Sequence, residues 1–178
     1  EDGSTLVNQA GGLVETDVDQ SMRTAGAEPN RFINEGVFRK TATTGGGTSI
    51  QVPLLRHRSA WVEVGSLLFP NGFVSRGSFT VAEGARLPLA GGLFRLESGH
   101  TFAGAGFYGI ENGTVTILGD LASPNFRLTG GTLDSTNNVT GTLTWSGGFL
   151  KGQYKIAPGG TLLLPSDGTF SREFIGTM

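Results

Sequence analysis

The chain has 178 residues, 30 of them glycine and none cysteine; 16% are charged, with a formal net charge of −2. That length supports one domain with a real core, and the charge balance gives no general electrostatic reason to bind nucleic acid or an anionic membrane. Without cysteine, disulfide frameworks, zinc–thiolate sites and thiol nucleophiles are excluded, and no apolar run approaches the roughly 20 residues needed for membrane insertion.

The opening residues, EDGSTLVNQAGG, do not have the pattern of a signal peptide; if the protein is exported, this is a processed or excised piece. LVNQAGGLVE (6–15) reads as a first coil of chain. ETDVD (15–19), if extended, puts Glu15, Asp17 and Asp19 on one side. Three carboxylates so placed can hold calcium, serve as the acids of a glycoside hydrolase or lyase, or form a solvated edge. QSMRTAGAEPNR (20–31) reads as a loop.

From Phe32 onward helix-type spacing is absent and alternation dominates. Apolar residues two apart flank a polar one in VEV (62–64), FTV (79–81), FRL (94–96), VTI (115–117), FRL (126–128), LTW (143–145) and YKI (154–156). A strand alternates faces, so each segment hides one side. Glycine clusters at 45–47, 91–92, 130–131, 147–148 and 159–160 mark the turns between them. Several units look alike: FINEGVFRKT, GSFTVAEGARLPLAGG, GIENGTVTILGD and APGGTLLLPSDGTF. Short quasi-repeated strands with glycine turns predict a solenoid whose coils cover one another; a sandwich would show longer, more regular strands. Asn8, Asn34 and Asn112 each precede a glycine and a strand, so they are candidates for stacking at coil corners, or for ordinary turn asparagines.

The segment RHRSAW (56–61) concentrates charge in a chain otherwise thin in it. With Val62 and Val64 inward, alternation points Trp61 and Glu63 outward. An exposed indole stacks on the apolar face of a sugar ring, and Arg56, His57 and Arg58 can hydrogen-bond hydroxyls or pair with uronate carboxylates. Thr80, Arg95 and Thr116 would extend this into a polar track. The alternative is a coil corner where Trp61 caps the core edge and the arginines are solvated. The candidate ligand-binding residues are therefore Trp61, Arg56, His57, Arg58, Glu63 and Arg95. Parity places Tyr108, Trp145 and Tyr154 in the core, and a one-residue register slip would expose them.

Other motifs carry little. His57 and His100 are the only histidines and lack metal-ligand spacing. GAGFYG (104–109) has no following helix to receive phosphate. The remaining acids are scattered singly, and no nucleophile-elbow context exists. Neither a cofactor nor a metal is expected. The sequons Asn112-Gly-Thr and Asn138-Val-Thr matter only in a glycosylating host.

The succession from FINEGVFRKT through TSIQVP, WVEVGSLLF and GSFTVAEGARLPLAGG to FAGAGFYGIENGTVTILGD resembles the repeats of bacterial secreted β-solenoid proteins, the kind found in haemagglutinin-like adhesins and autotransporter passengers. The resemblance covers about residues 30–165. RHRSAW departs from it, because the family places an asparagine and a glycine near positions 57–60. The resemblance implies an all-β, right-handed parallel β-helix forming a single domain over 1–178: a less regular coil or cap over 1–31, coils over 32–165, and a cap or stub over 166–178. It also implies an exported bacterial protein, extracellular or at the cell surface, whose chain joins other domains. Three roles fit such a chain: a non-catalytic module binding a polysaccharide or cell-surface glycan, a structural stalk or adhesin segment, and a polysaccharide lyase or hydrolase. Scattered acids disfavour the enzyme, and RHRSAW tilts the reading toward the binding module.

Overall fold

The computed structural model describes residues 3–25, 30–43, 45–166 and 171–175. Its strands stack as a parallel β-solenoid of about seven turns, with no helix among the described residues. The first layer holds β1 (Thr5–Asn8), β2 (Leu13–Thr16) and β3 (Ser21–Met22). The second holds β4 (Arg31–Lys40) and β5 (Gly47–Ile50), and the third β6 (Leu54–Val62) and β7 (Ser66–Leu68). Then come β8 (Gly72–Ser75), β9 (Ser78–Val81) and β10 (Arg86–Leu89), followed by β11 (Leu93–Leu96), β12 (Thr101–Ala103) and β13 (Phe107–Ile110). The last layers are β14 (Thr114–Ile117) with β15 (Phe126–Leu128), β16 (Thr132–Val139) with β17 (Thr142–Trp145), and β18 (Gly148–Ile156) with β19 (Thr161–Leu163). A final strand, β20 (Arg172–Ile175), pairs with the start of β18.

Two sheets result, of twelve and eight strands, and the strand pairs are parallel throughout. The step from Leu93 to its partner Thr114 is 21 residues, and that from Thr132 to Phe149 is 17. Coils of unequal length stay in register because the extra residues sit in the turns. The larger sheet bends. In the second, third, seventh and eighth layers one long strand runs around the bend. In the fourth, β6 pairs on one side with β8 (His57 with Ser75) and on the other with β9 (Ala60 with Phe79).

The core lies between the two sheets, and the alternating segments supply it. Val62, Phe79, Val81, Phe94, Leu96, Val115, Ile117, Phe126, Leu128 and Leu143 are all buried. Each such side chain contributes roughly 1.5–3 kcal/mol on burial. Val64 differs from expectation: it lies past the end of β6, half-buried, because the chain turns at Gly65, whose φ is +69°. Tyr108 and Trp145 are in the core. The Tyr108 hydroxyl lies within hydrogen-bond reach of the carbonyls of Phe79 (2.8 Å) and Ala103 (2.6 Å), which share its one proton, and burial pushes its pKa up to about 12. Tyr154 is only half-buried, since fewer strands cover the last layer; its hydroxyl donates to the Leu133 carbonyl at 2.6 Å.

The asparagine ladder forms at the bend for Asn8 and Asn34, both buried. Asn8 Nδ2 donates to Asn34 Oδ1 (2.7 Å) and to the Val37 carbonyl (3.0 Å). Asn112 is not in it; its Oδ1 accepts from the Gly91 backbone at an outer turn. The acids of ETDVD do not converge on one site. Glu15 pairs with Arg39 at 3.2 Å, and Asp17 is exposed. Asp19 meets the fully buried Lys40 at 2.7 Å. The Lys40 ammonium also donates to the Ala42 carbonyl (2.7 Å) and Thr48 Oγ1 (3.1 Å). Asp19 Oδ2 accepts from Thr43 and the Gly46 backbone, fastening the 41–47 turn to the first layer. Among the described residues no group of three acids or histidines is arranged to hold a metal ion. Of the loop expected over 20–31, residues 26–29 lie outside the described residues, as do 167–170 and 176–178 of the C-terminal cap or stub.

Candidate functional site

β6 crosses the bend, and there its alternation fails. Leu54, His57, Ala60 and Val62 point inward, while Leu55, Arg56, Arg58 and Trp61 point outward. One extra residue in β6 separates the pairings of Phe32 with Leu54 and Ile33 with Arg56. An extra residue in β4 then separates Asn34–His57 from Val37–Ser59. Around these two bulges successive inward side chains fall three positions apart. Both flanking arginines are thereby exposed and the histidine between them is buried.

His57 is thus a correction to the sequence reading, which set it among the sugar-contacting groups. It is 2% exposed and takes the rung that asparagine holds in the layers before it. Asn34 Nδ2 donates to its Nδ1 (3.0 Å) and to the Ser59 carbonyl (3.2 Å). Asn34 Oδ1 already accepts from Asn8, so Nδ1 of His57 is the acceptor and Nε2 carries the proton. Among the described residues that Nε2 has no hydrogen-bond partner, and the His57 ring packs against those of Phe69, Phe73 and Phe79, with centroids 5.1, 5.1 and 5.5 Å away. Burial lowers the His57 pKa to about 3, so it is neutral at physiological pH.

Outside this rung, the bend is concave. A groove of about 730 Å³ crosses the second to fifth layers, with Arg56, Arg58, Arg76, Glu35 and Glu97 on its walls. Val74, Ser59 and Ser78 also line it, the two hydroxyls 3.1 Å apart. Gly77 closes the floor, where a Cβ would fall 1.0 Å from the Arg58 carbonyl oxygen, so any side chain there would force the layers apart. Arg56 Nη1 meets Glu35 at 3.4 Å; Arg76 Nη2 and Arg95 Nε each meet Glu97 at 2.9 Å. The Arg95 and Arg76 contacts hold the Glu97 carboxyl below its usual pKa. Among the described residues, Arg58 has no carboxylate partner.

The other candidates lie elsewhere. Trp61 is 43% exposed, as expected of its parity, but its neighbour is Arg39, whose guanidinium carbon sits 4.8 Å above the ring. Glu63 holds Arg39 at 2.5 Å and Glu15 holds it at 3.2 Å, with Glu63 the main cause of its raised pKa. This patch is on the other side of the bend from Arg56 and does not line the groove. Nor do Thr80, Arg95 and Thr116 make one track. Arg95 pairs with Thr116 before the bend, and Thr80 pairs with Trp61 after it. Sequence reading missed Glu35, Arg76 and Glu97, because they come together only when layers stack. The available signal was the recurrence of a charged residue just before a corner glycine or serine: Glu35-Gly36, Arg58-Ser59 and Arg76-Gly77.

In comparisons with protein-family models, curated proteins and solved structures, nothing matches this chain.

Proposed function

We propose that the protein is a non-catalytic module that binds an extended glycan in the corner groove, as part of a longer exported bacterial protein. The observation that carries this reading is the groove itself: open, spanning four layers, and lined by arginine, carboxylate and hydroxyl groups around one apolar side chain, Val74. Such a lining suits a sugar chain, which offers hydroxyls at its edges and C–H groups on its faces. Neighbouring strands lie about 4.8 Å apart, close to the advance of one pyranose unit, so a chain laid along the solenoid axis meets one layer per sugar.

The carboxylates support binding over hydrolysis. Glu35 lies on β4 and Glu97 directly follows β11, three strand steps apart. Their backbones stand about 14 Å apart along the stack, and each carboxylate is tied to an arginine of its own end of the groove.

The test is a panel of soluble and insoluble polysaccharides, scored for retention of the protein and for release of reducing sugar. Retention without release is the expected outcome. Release would make the protein an enzyme; silence across the panel would overturn the reading and leave the coils as a spacer.

A further inference from the structure

We propose that the groove selects a chain carrying one negative charge between neutral units, in preference to a neutral chain or one charged at every unit. This rests on the glycan reading above and specifies its ligand. The groove's charges are ordered by layer. Glu35 stands at one end in the second layer, Arg56 and Arg58 in the third, Arg76 in the fourth and Glu97 at the other end in the fifth. Within the groove Glu35 neutralises Arg56, and Glu97 is shared between Arg76 and Arg95. Arg58, in the middle, is the one groove arginine without a carboxylate partner among the described residues. Its guanidinium offers a planar fork of donors that matches a carboxylate or sulfate two bonds at a time.

The two end carboxylates set the other half of the selection. A ligand carboxylate placed at either end meets Glu35 or Glu97 directly, and like charges in a walled groove repel. A neutral sugar there instead donates its hydroxyls to the same carboxylates. Attraction is therefore strongest at the centre, where no carboxylate competes for Arg58, while a ligand acid at either end must displace Glu35 or Glu97 from its arginine. A uniformly charged polymer gains the attraction and meets the displacement; a neutral polymer avoids the displacement and forgoes the attraction.

The experiment is calorimetric titration of the whole chain with three oligosaccharides of equal length: a neutral chito-oligosaccharide, an otherwise neutral oligosaccharide with a single internal uronate, and an oligogalacturonate with uronate at every unit. The singly charged chain should bind tightest, with an affinity that falls as salt is added. Arg58→Gln should weaken it roughly ten- to hundredfold, well beyond any loss it causes in neutral-chain binding. Arg58 is exposed, so the variant folds, and an unchanged melting temperature verifies this. Glu35→Gln combined with Glu97→Gln should raise the affinity for oligogalacturonate. Equal binding of the neutral chain, tighter binding of oligogalacturonate by the native protein, or indifference to Arg58→Gln would overturn the charge pattern while leaving the glycan groove in place. Failure of all three oligomers, and of the wider panel, would remove the glycan reading itself.

Discussion

Lowering the pH from 7 to 5 should weaken this fold through one side chain, His57. Its ring is enclosed by Phe69, Phe73 and Phe79, accepts a hydrogen bond at Nδ1, and among the described residues is paired with no carboxylate that would support a charge. Its pKa is about 3 in the fold, against 6.5 in the unfolded chain. Since the folded value is the lower one, the unfolded chain takes up the proton first. The contribution to stability is whole above pH 6.5, declines as the pH falls below it, and levels off near pH 3. Linkage then gives a loss of about 2 kcal/mol between pH 7 and 5, and on the order of 4 kcal/mol by pH 3. The assay is urea unfolding at pH 7, 6 and 5 for the native protein and for His57→Asn. Asparagine places Oδ1 near the position of Nδ1 and extends the Asn8–Asn34 ladder, but it leaves ring volume unfilled. The variant should therefore start about 1–3 kcal/mol less stable at pH 7, and the gap should close by about 2 kcal/mol at pH 5. All other titrations cancel in the difference. If both proteins lose the same stability over this range, the buried neutral histidine is not the cause and the argument fails.

Val115 is fully buried between layers, so Val115→Asp should cost more than about 4 kcal/mol, read as loss of the cooperative thermal transition. Asp19→Ala should cost about 3–5 kcal/mol by stranding the buried Lys40 ammonium, while a chelator leaves the melting temperature of the native protein unchanged; a drop in chelator would show that the N-terminal acids hold a metal after all. Trp61→Ala should change glycan affinity less than about twofold, because the indole stands outside the groove with Arg39 over it. A hundredfold loss in the same binding assay would relocate the site to that patch.

The fold was legible because burying one face of a strand imposes period two, and segments such as FTV and VTI display it without interruption. What period two cannot report is a place where the chain bends. Between Leu54 and Ala60 the inward positions fall three apart, so counting back from Val62 by twos buries Arg58 and exposes His57, the reverse of what the bend imposes. Coil-to-coil comparison does better there, since His57 occupies the rung of Asn8 and Asn34. Arg56 and Arg58 were found for their chemistry. Their partners were not, because Glu35 and Glu97 are 21 and 41 residues from Arg56 in sequence and share its surroundings only through stacking.

Each layer of the solenoid touches only the layers above and below it, and the groove draws on the second through fifth alone. The molecule therefore has two regimes of tolerance to lengthening. A duplicated coil inserted after β13 would find matching parallel edges on both sides and add to the rod without disturbing a single groove contact. The same duplication between β4 and β11 would move Glu35 one strand spacing, about 4.8 Å, further from Glu97 and add a rung between them. Evolution or engineering can thus set the length of the rod independently of the length of ligand it grips, provided the insertion point is chosen on the correct side of Ile110.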